Sequence, residues 1–193
     1  MRISLSEIQL IRGGTPILQD VSLVFPTGET TAITGLSGCG KTTLLKVAAG
    51  IIPMDSGGVE WNDRSITSYS EREIQDLRRL TGFAFQDGAL WANKSALQNL
   101  MLPVEFHFPD QLTESFTKKT TERVTRLVRK LGYKDDMNLR PGQLSLGEQK
   151  IISFTRSLVN DPEVLFLDDP IIGVDQEAYD AIFEKILSLK KEK

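Results

Sequence analysis

At 193 residues the chain is long enough for one domain with a real core, or for one domain with an added lobe. With 40% hydrophobic and 25% charged residues its composition is globular, which argues against a disordered or fibrous chain. A net charge of −3 gives no sign of a nucleic-acid surface, so no nucleic-acid partner is expected. One cysteine excludes an internal disulfide framework and suits a reducing compartment. The start, Met1 to Glu7, has no signal-peptide core, and no apolar run approaches the roughly 18 residues of a membrane span. The expectation is a cytoplasmic protein that meets a membrane only through a partner.

Residues 2–25 alternate in two blocks, Ile3/Leu5 with Ile8/Leu10 and then Val21/Leu23/Phe25, which predict half-buried antiparallel strands. Pro26-Thr27-Gly28-Glu29 reads as a turn into a short buried strand, Thr31-Ala32-Ile33-Thr34. A helix follows over residues 43–49 and stops at Gly50. Pro53 to Gly58 reads as a loop before a strand at 58–61. Ser70 and Glu73 form a capping box for a helix through Arg79. Residues 82–86 read as a buried strand ending on Gln86. From Ser95 to Leu131 the period is helical, with Ser95/Gln98 as another capping box. Phe116, Val124, Leu127, Val128 and Leu131 share one face before Gly132. Residues 164–167 return as a continuous apolar strand of the kind covered on both faces. A last helix, about 176–190, is expected to bury Tyr179, Ile182, Phe183, Ile186 and Leu187. Residues 190–193 read as a frayed, solvated tail. The organisation expected is one unit over 1–193, with an α/β core (1–86 and 161–193) and an inserted helical lobe (87–160).

Gly35-Leu36-Ser37-Gly38-Cys39-Gly40-Lys41-Thr42-Thr43 fits the phosphate-loop pattern G-x-x-x-x-G-K-[ST], placed between strand and helix as the motif requires. Its glycines let several N–H groups converge on one anion. Lys41 adds a mobile charge for the β- and γ-phosphates, and the Thr42 hydroxyl is placed to ligate Mg²⁺. The bland alternative is a glycine-rich turn with a chance lysine. The strand at 164–167 ends in Asp168-Asp169, a Walker B arrangement in which Asp168 serves Mg²⁺ and Asp169 is placed to polarise an attacking water.

Between these motifs lies Leu144-Ser145-Leu146-Gly147-Glu148-Gln149, which resembles the Leu-Ser-Gly-Gly-Gln signature of ATP-binding cassette (ABC) transporter ATPases. The resemblance covers essentially the whole chain. It implies a P-loop NTPase fold with an inserted helical subdomain and a small N-terminal antiparallel sheet. It also implies ATP and Mg²⁺ as cofactors, Gln86 as the Mg²⁺-sensing Q-loop residue, and residues 172–175 as the D-loop. In the family two cassettes pack head to tail, so Ser145 and Gly147 would act on the partner's nucleotide in a homodimer. An integral-membrane permease would dock on residues 87–108. Phe85-Gln86-Asp87-Gly88-Ala89-Leu90-Trp91 is similar to the Phe-Gln-x-Gly-Ala-Leu-Phe run of Mla-type (MCE-linked) phospholipid transporter ATPases, as is the stretch 170–173. Lipid transport is therefore expected.

The sequence also departs from that pattern. Asp169 stands where the family has glutamate, Leu146 replaces a glycine and Glu148 a glutamine. No aromatic lies at residues 8–14 to stack on adenine, leaving Leu10, Ile11 or Arg12. The family's switch histidine follows Walker B by some thirty residues, and the sequence ends at Lys193 before that position. It is C-terminally short, either as a fragment or as a naturally short cassette. His107, the one histidine, is expected to pack or face solvent, and Cys39 to be a small filler. A nucleotide-binding regulatory or dimerisation module with little hydrolysis is the competing expectation. A soluble cassette outside transport is a third.

Overall fold

A computed structural model describes residues 1–191, and by internal packing the chain divides into two units, residues 1–76 and residue 77 onward. The tail expectation falls outside what is described: residues 192–193, and the side chains of 190–191.

In the first unit the alternation at the N-terminus becomes a hairpin, β1 (Ile3–Arg12) and β2 (Thr15–Phe25). β3 (Ser56–Trp61) and β4 (Arg64–Ser65) complete an antiparallel sheet in the order β2-β1-β3-β4. Ile3 faces Phe25 and Leu5 faces Leu23, but the register shifts before Ile8 meets Val21. Glu7, at φ 51°, lies where β1 has the extra residue, and Asp20, also at φ 51°, lies where β2 has one as the register shifts back before Leu10 meets Leu18. That is why the buried set runs Ile3, Leu5, Ile8, Leu10 rather than strictly alternating. α1 (Lys41–Ala48) buries Leu44, Val47 and Ala48, and the Trp61 indole donates to the Ala48 carbonyl at 2.9 Å. Gly50, at φ 64°, follows the end of this helix where expected. α2 (Glu71–Arg79) begins on the predicted Ser70/Glu73 box.

One expected strand is absent. Residues 31–34 carry no regular structure and are mostly exposed. A parallel strand needs neighbours for its backbone groups, and the four-stranded sheet of this unit pairs with none of these residues.

The second unit holds β5 (Thr81–Ala84) and β6 (Val164–Leu167), a parallel pair with Ala84 opposite Leu167. Only Phe166 of β6 is fully buried, because one strand pairs with it rather than two. The helical run splits into α3 (Ala96–His107) and α4 (Glu114–Lys130). Phe108 precedes Pro109 and is driven to φ −132°, ending the first helix, and Thr113 caps the second. The predicted α4 face holds: Val124, Val128 and Leu131 are buried, with Phe116 and Leu127 packed beside them.

α5 (Leu146–Leu158) is the centre of this unit and packs against β5, α3, α4 and α6 (Gln176–Lys191). Its approach to β5 is close enough that a Cβ at Gly82 would sit 2.1 Å from the Ser157 carbonyl oxygen. On α6 the expectation needs correction. Ile182 is buried and Ile186 packs against the core, but Tyr179, Phe183 and Leu187 are 38–50% exposed. They form a separate stripe in which the Tyr179 and Phe183 rings stack at 6.1 Å.

Candidate nucleotide site

In the first unit, the phosphate loop ends on Gly40, at φ 97°, and leads directly into α1. A Cβ at Gly40 would lie 3.0 Å from the Ile17 carbonyl oxygen, so this turn is held to glycine by contact as well as conformation. The Lys41 ammonium folds back and donates to the carbonyls of Gly35 and Leu36, at 2.9 and 2.8 Å. Leu36, Ser37, Gly38 and Cys39 are exposed, and Thr42 and Thr43 half-buried. Cys39 is a free, exposed thiol.

The start of α1 differs from that of every other α-helix among the described residues. The others are closed by their own side chains: Ser70 for α2, Ser95 for α3, Thr113 for α4, Ser145 for α5 and Asp175 for α6. α1 has no side-chain cap and no acidic residue in its first turn. The positive end of its dipole, beside a lysine, favours an anion. Phosphate fits this arrangement.

In the second unit, Asp168 is 5% exposed and its N–H donates to the Ala84 carbonyl at 3.0 Å. Asp169 is half-buried and has φ 48°, a conformation costing on the order of 1 kcal/mol for a residue with a side chain. Gln86 is exposed two residues beyond β5. The carboxyl ends of the paired strands thus bring Gln86, Asp168 and Asp169 together, where α/β folds place ligands. Among the described residues no group of three or more metal-ligating side chains of His, Cys, Asp and Glu occurs. Asp168 and Asp169 are the carboxylates at these strand ends, and Mg²⁺ typically takes one or two carboxylates and completes its shell with phosphate and water.

Ser145 caps α5 reciprocally with Glu148. The Ser145 N–H and hydroxyl donate to the Glu148 carboxylate at 2.7 Å each, and the Glu148 N–H donates back to the hydroxyl at 3.2 Å. Burial works to raise the Glu148 pKa, but hydrogen bonds from Ser145 and Asp135 outweigh it and hold it below its ordinary value. Asp135 moves the other way, raised chiefly by its hydrogen bond with Glu148. Leu146 projects at 76% exposure, while Gly147 lies against the D-loop, where a Cβ would sit 2.8 Å from the Gly173 carbonyl oxygen. Of the three residues offered for adenine, Leu10 is sealed in the core; Ile11 and Arg12 are exposed. His107 is partly buried, and burial followed by Arg79 lowers its pKa.

The sequence reading missed two cations on α5. The Lys150 ammonium donates to the carbonyls of Gln86 and Asp169. Arg156 donates to those of Gly88 and Ala89, each at 2.9 Å, and burial lowers its pKa. Their signal was present: two cations in a helix otherwise marked by Ile151, Ile152, Phe154 and Leu158.

Residues 18–172 match the ABC transporter family. An uncharacterized ABC transporter ATP-binding protein of Methanocaldococcus jannaschii is 33% identical over 92% of this chain and 77% of its own length. The cell division ATP-binding protein FtsE of Escherichia coli is 34% identical over 93% of this chain and 77% of its own length. The chain spans only 40–58% of the methionine and spermidine/putrescine import ATP-binding proteins it also matches. Among solved structures, the dimeric ATP-binding cassette MJ0796, in a post-hydrolysis state with ADP and Pi, has a TM-score of 0.88 at 25% identity. That match covers 98% of this chain and 83% of the other. The fold is therefore that of a P-loop NTPase of the cassette class. The chain belongs to the ABC transporter family as one of its ATPases, and its cofactors are ATP and Mg²⁺.

Proposed function

We propose that this chain is the ATP-hydrolysing subunit of a membrane ABC transporter for lipid, working as a homodimer beneath an integral-membrane permease. The observation that carries the nucleotide part is the uncapped start of α1 beside Lys41. Residues 35–43 cradle the phosphates through backbone N–H groups, and Lys41 leaves the Gly35 and Leu36 carbonyls to meet them. Thr42 in the phosphate loop and, in the other unit, Asp168 and Gln86 are each residues that would serve Mg²⁺, which would supply charge neutralisation for the phosphates. Asp169 takes the proton of the attacking water. Ser145 and Gly147 serve the nucleotide of the second copy. The whole of 1–193 acts as one cassette, with 1–86 and 161–193 as core and 87–160 as lobe.

The permease side rests on residues 87–108. Asn99, fully buried, accepts from the Trp91 N–H at 2.8 Å and donates to the carbonyls of Trp91, Lys94 and Ser95. It fixes a turn that leaves Trp91 56% exposed, while Leu90 packs inward on the core. Phe106 is 67% exposed on the same segment. No helix among the described residues is long and apolar enough to cross a membrane; in this reading the chain meets the membrane through the permease, from the cytoplasmic side. The lipid reading rests on the run from Phe85 to Trp91; the cell-division and import relatives do not themselves argue for it.

The test is to purify the chain with its membrane partner and identify bound small molecules by mass spectrometry, with and without ATP and Mg²⁺. Phospholipid retained by the complex and released on ATP addition is the expected result. A complex carrying an amino acid or polyamine instead would refute the lipid assignment while leaving the transporter reading intact.

A further inference from the structure

Lys150 is 9% exposed and lies in the second turn of α5. Its ammonium donates to the backbone carbonyls of Gln86 and Asp169, the second at 3.0 Å. Each acceptor stands two residues beyond the end of a strand, β5 in one case and β6 in the other, and those strand ends face each other as Ala84 and Leu167. One side chain of the signature helix thus ties together both loops that carry candidate chemistry.

A cation here is costly on two counts. Burial strips its water, and the positive end of the α5 dipole opposes it. Packing alone gives no reason for it, since a methionine has comparable length and avoids both costs. Charge-assisted hydrogen bonds to two carbonyls offset part of the cost, and both form only while the two loops keep their places. Arg156, further along α5, bonds Gly88 and Ala89 and so reaches the Gln86 side alone. Lys150 is the group that spans both.

We propose that Lys150 is a positioning residue that couples the Gln86 and Asp169 loops to α5, so that Mg²⁺-sensing and water-activating groups are set together. The inference rests on the reading of Gln86 and Asp169 given above, and it predicts a loss in rate without a matching loss in ATP binding.

The experiment compares Lys150→Met and Lys150→Arg with the wild-type full chain. Steady-state kcat and KM for ATP are measured, with hydrogen–deuterium exchange read over residues 84–89 and 167–171. Lys150→Met is expected to lower kcat about 10- to 100-fold with KM within about threefold. Exchange should rise in both segments together, and Lys150→Arg should restore most of the lost rate. A wild-type kcat in Lys150→Met, a fall in rate matched by lost affinity, or exchange rising in one segment only would each overturn the proposal. Should wild type bind ATP without turning it over, the catalytic reading of Asp169 fails, and joint or separate exchange in the two segments decides the coupling by itself. If Lys150→Met does not fold, Lys150→Gln takes its place in the same comparison.

Discussion

Gly147 shows how tightly single residues fix the second unit. A Cβ there would come within 2.8 Å of the Gly173 carbonyl oxygen, a backbone atom that moves only if the D-loop moves. Gly147→Ala is therefore expected to destabilise the fold by about 1–3 kcal/mol, as overpacking does. Urea unfolding at unchanged m-value is the measurement. Gly142→Ala, where a Cβ would meet nothing within 4 Å, is the control, and it should stay within about 0.5 kcal/mol of wild type. Equal losses in both variants would mean that the contact with Gly173 does not matter. At this scale the phosphate loop was legible because residue type and spacing alone define it. The partners of Lys150 were not, because a cation in an apolar helix signals a buried charge but not which carbonyls surround it.

Among the elements, the capping boxes were the most readable features, since each joins residues three apart in sequence. The Ser70/Glu73 box also meets Arg64, whose guanidinium donates to Glu73 at 2.7 Å. That hydrogen bond, with those from Ser70, lowers the Glu73 pKa from 4.5 to about 2. Between those values the unfolded chain binds the proton more tightly than the folded one. The contribution to stability is therefore complete above about pH 4.5 and disappears as the pH falls toward 2. Glu73→Gln should lower the unfolding midpoint at pH 6, by a small amount because the pair is exposed, and match wild type near pH 2.5. A difference that persists unchanged into acid would contradict this assignment. The failures at this scale were failures of context. Residues 31–34 have the composition of a strand, but composition does not supply a paired neighbour. The α6 stripe of Tyr179, Phe183 and Leu187 has helical spacing, but spacing does not say which of two apolar faces is covered.

For the whole molecule, fold class and family followed from the order of motifs, phosphate loop, signature, then carboxylate pair, and the matches to ABC transporter ATPases agree with that order. What sequence could not weigh was the effect of the departures. Asp169 is a shorter base at φ 48°, and Leu146 stands exposed at the start of the signature helix. A split-site account predicts that Asp169→Asn, with ATP and Mg²⁺, accumulates as a dimer in light scattering, and that Leu146→Gly strengthens that dimer. A monomer under saturating ATP in both variants would count against the homodimer. The most direct test of the central claim is steady-state ATP turnover with Mg²⁺, beside Lys41→Ala and Asp169→Asn, with nucleotide affinity measured on the same samples. The account predicts turnover in wild type, weakened binding in Lys41→Ala, and retained binding with at least about a 100-fold lower rate in Asp169→Asn. Wild-type turnover no higher than that of Lys41→Ala, at equal affinity for ATP, would contradict it.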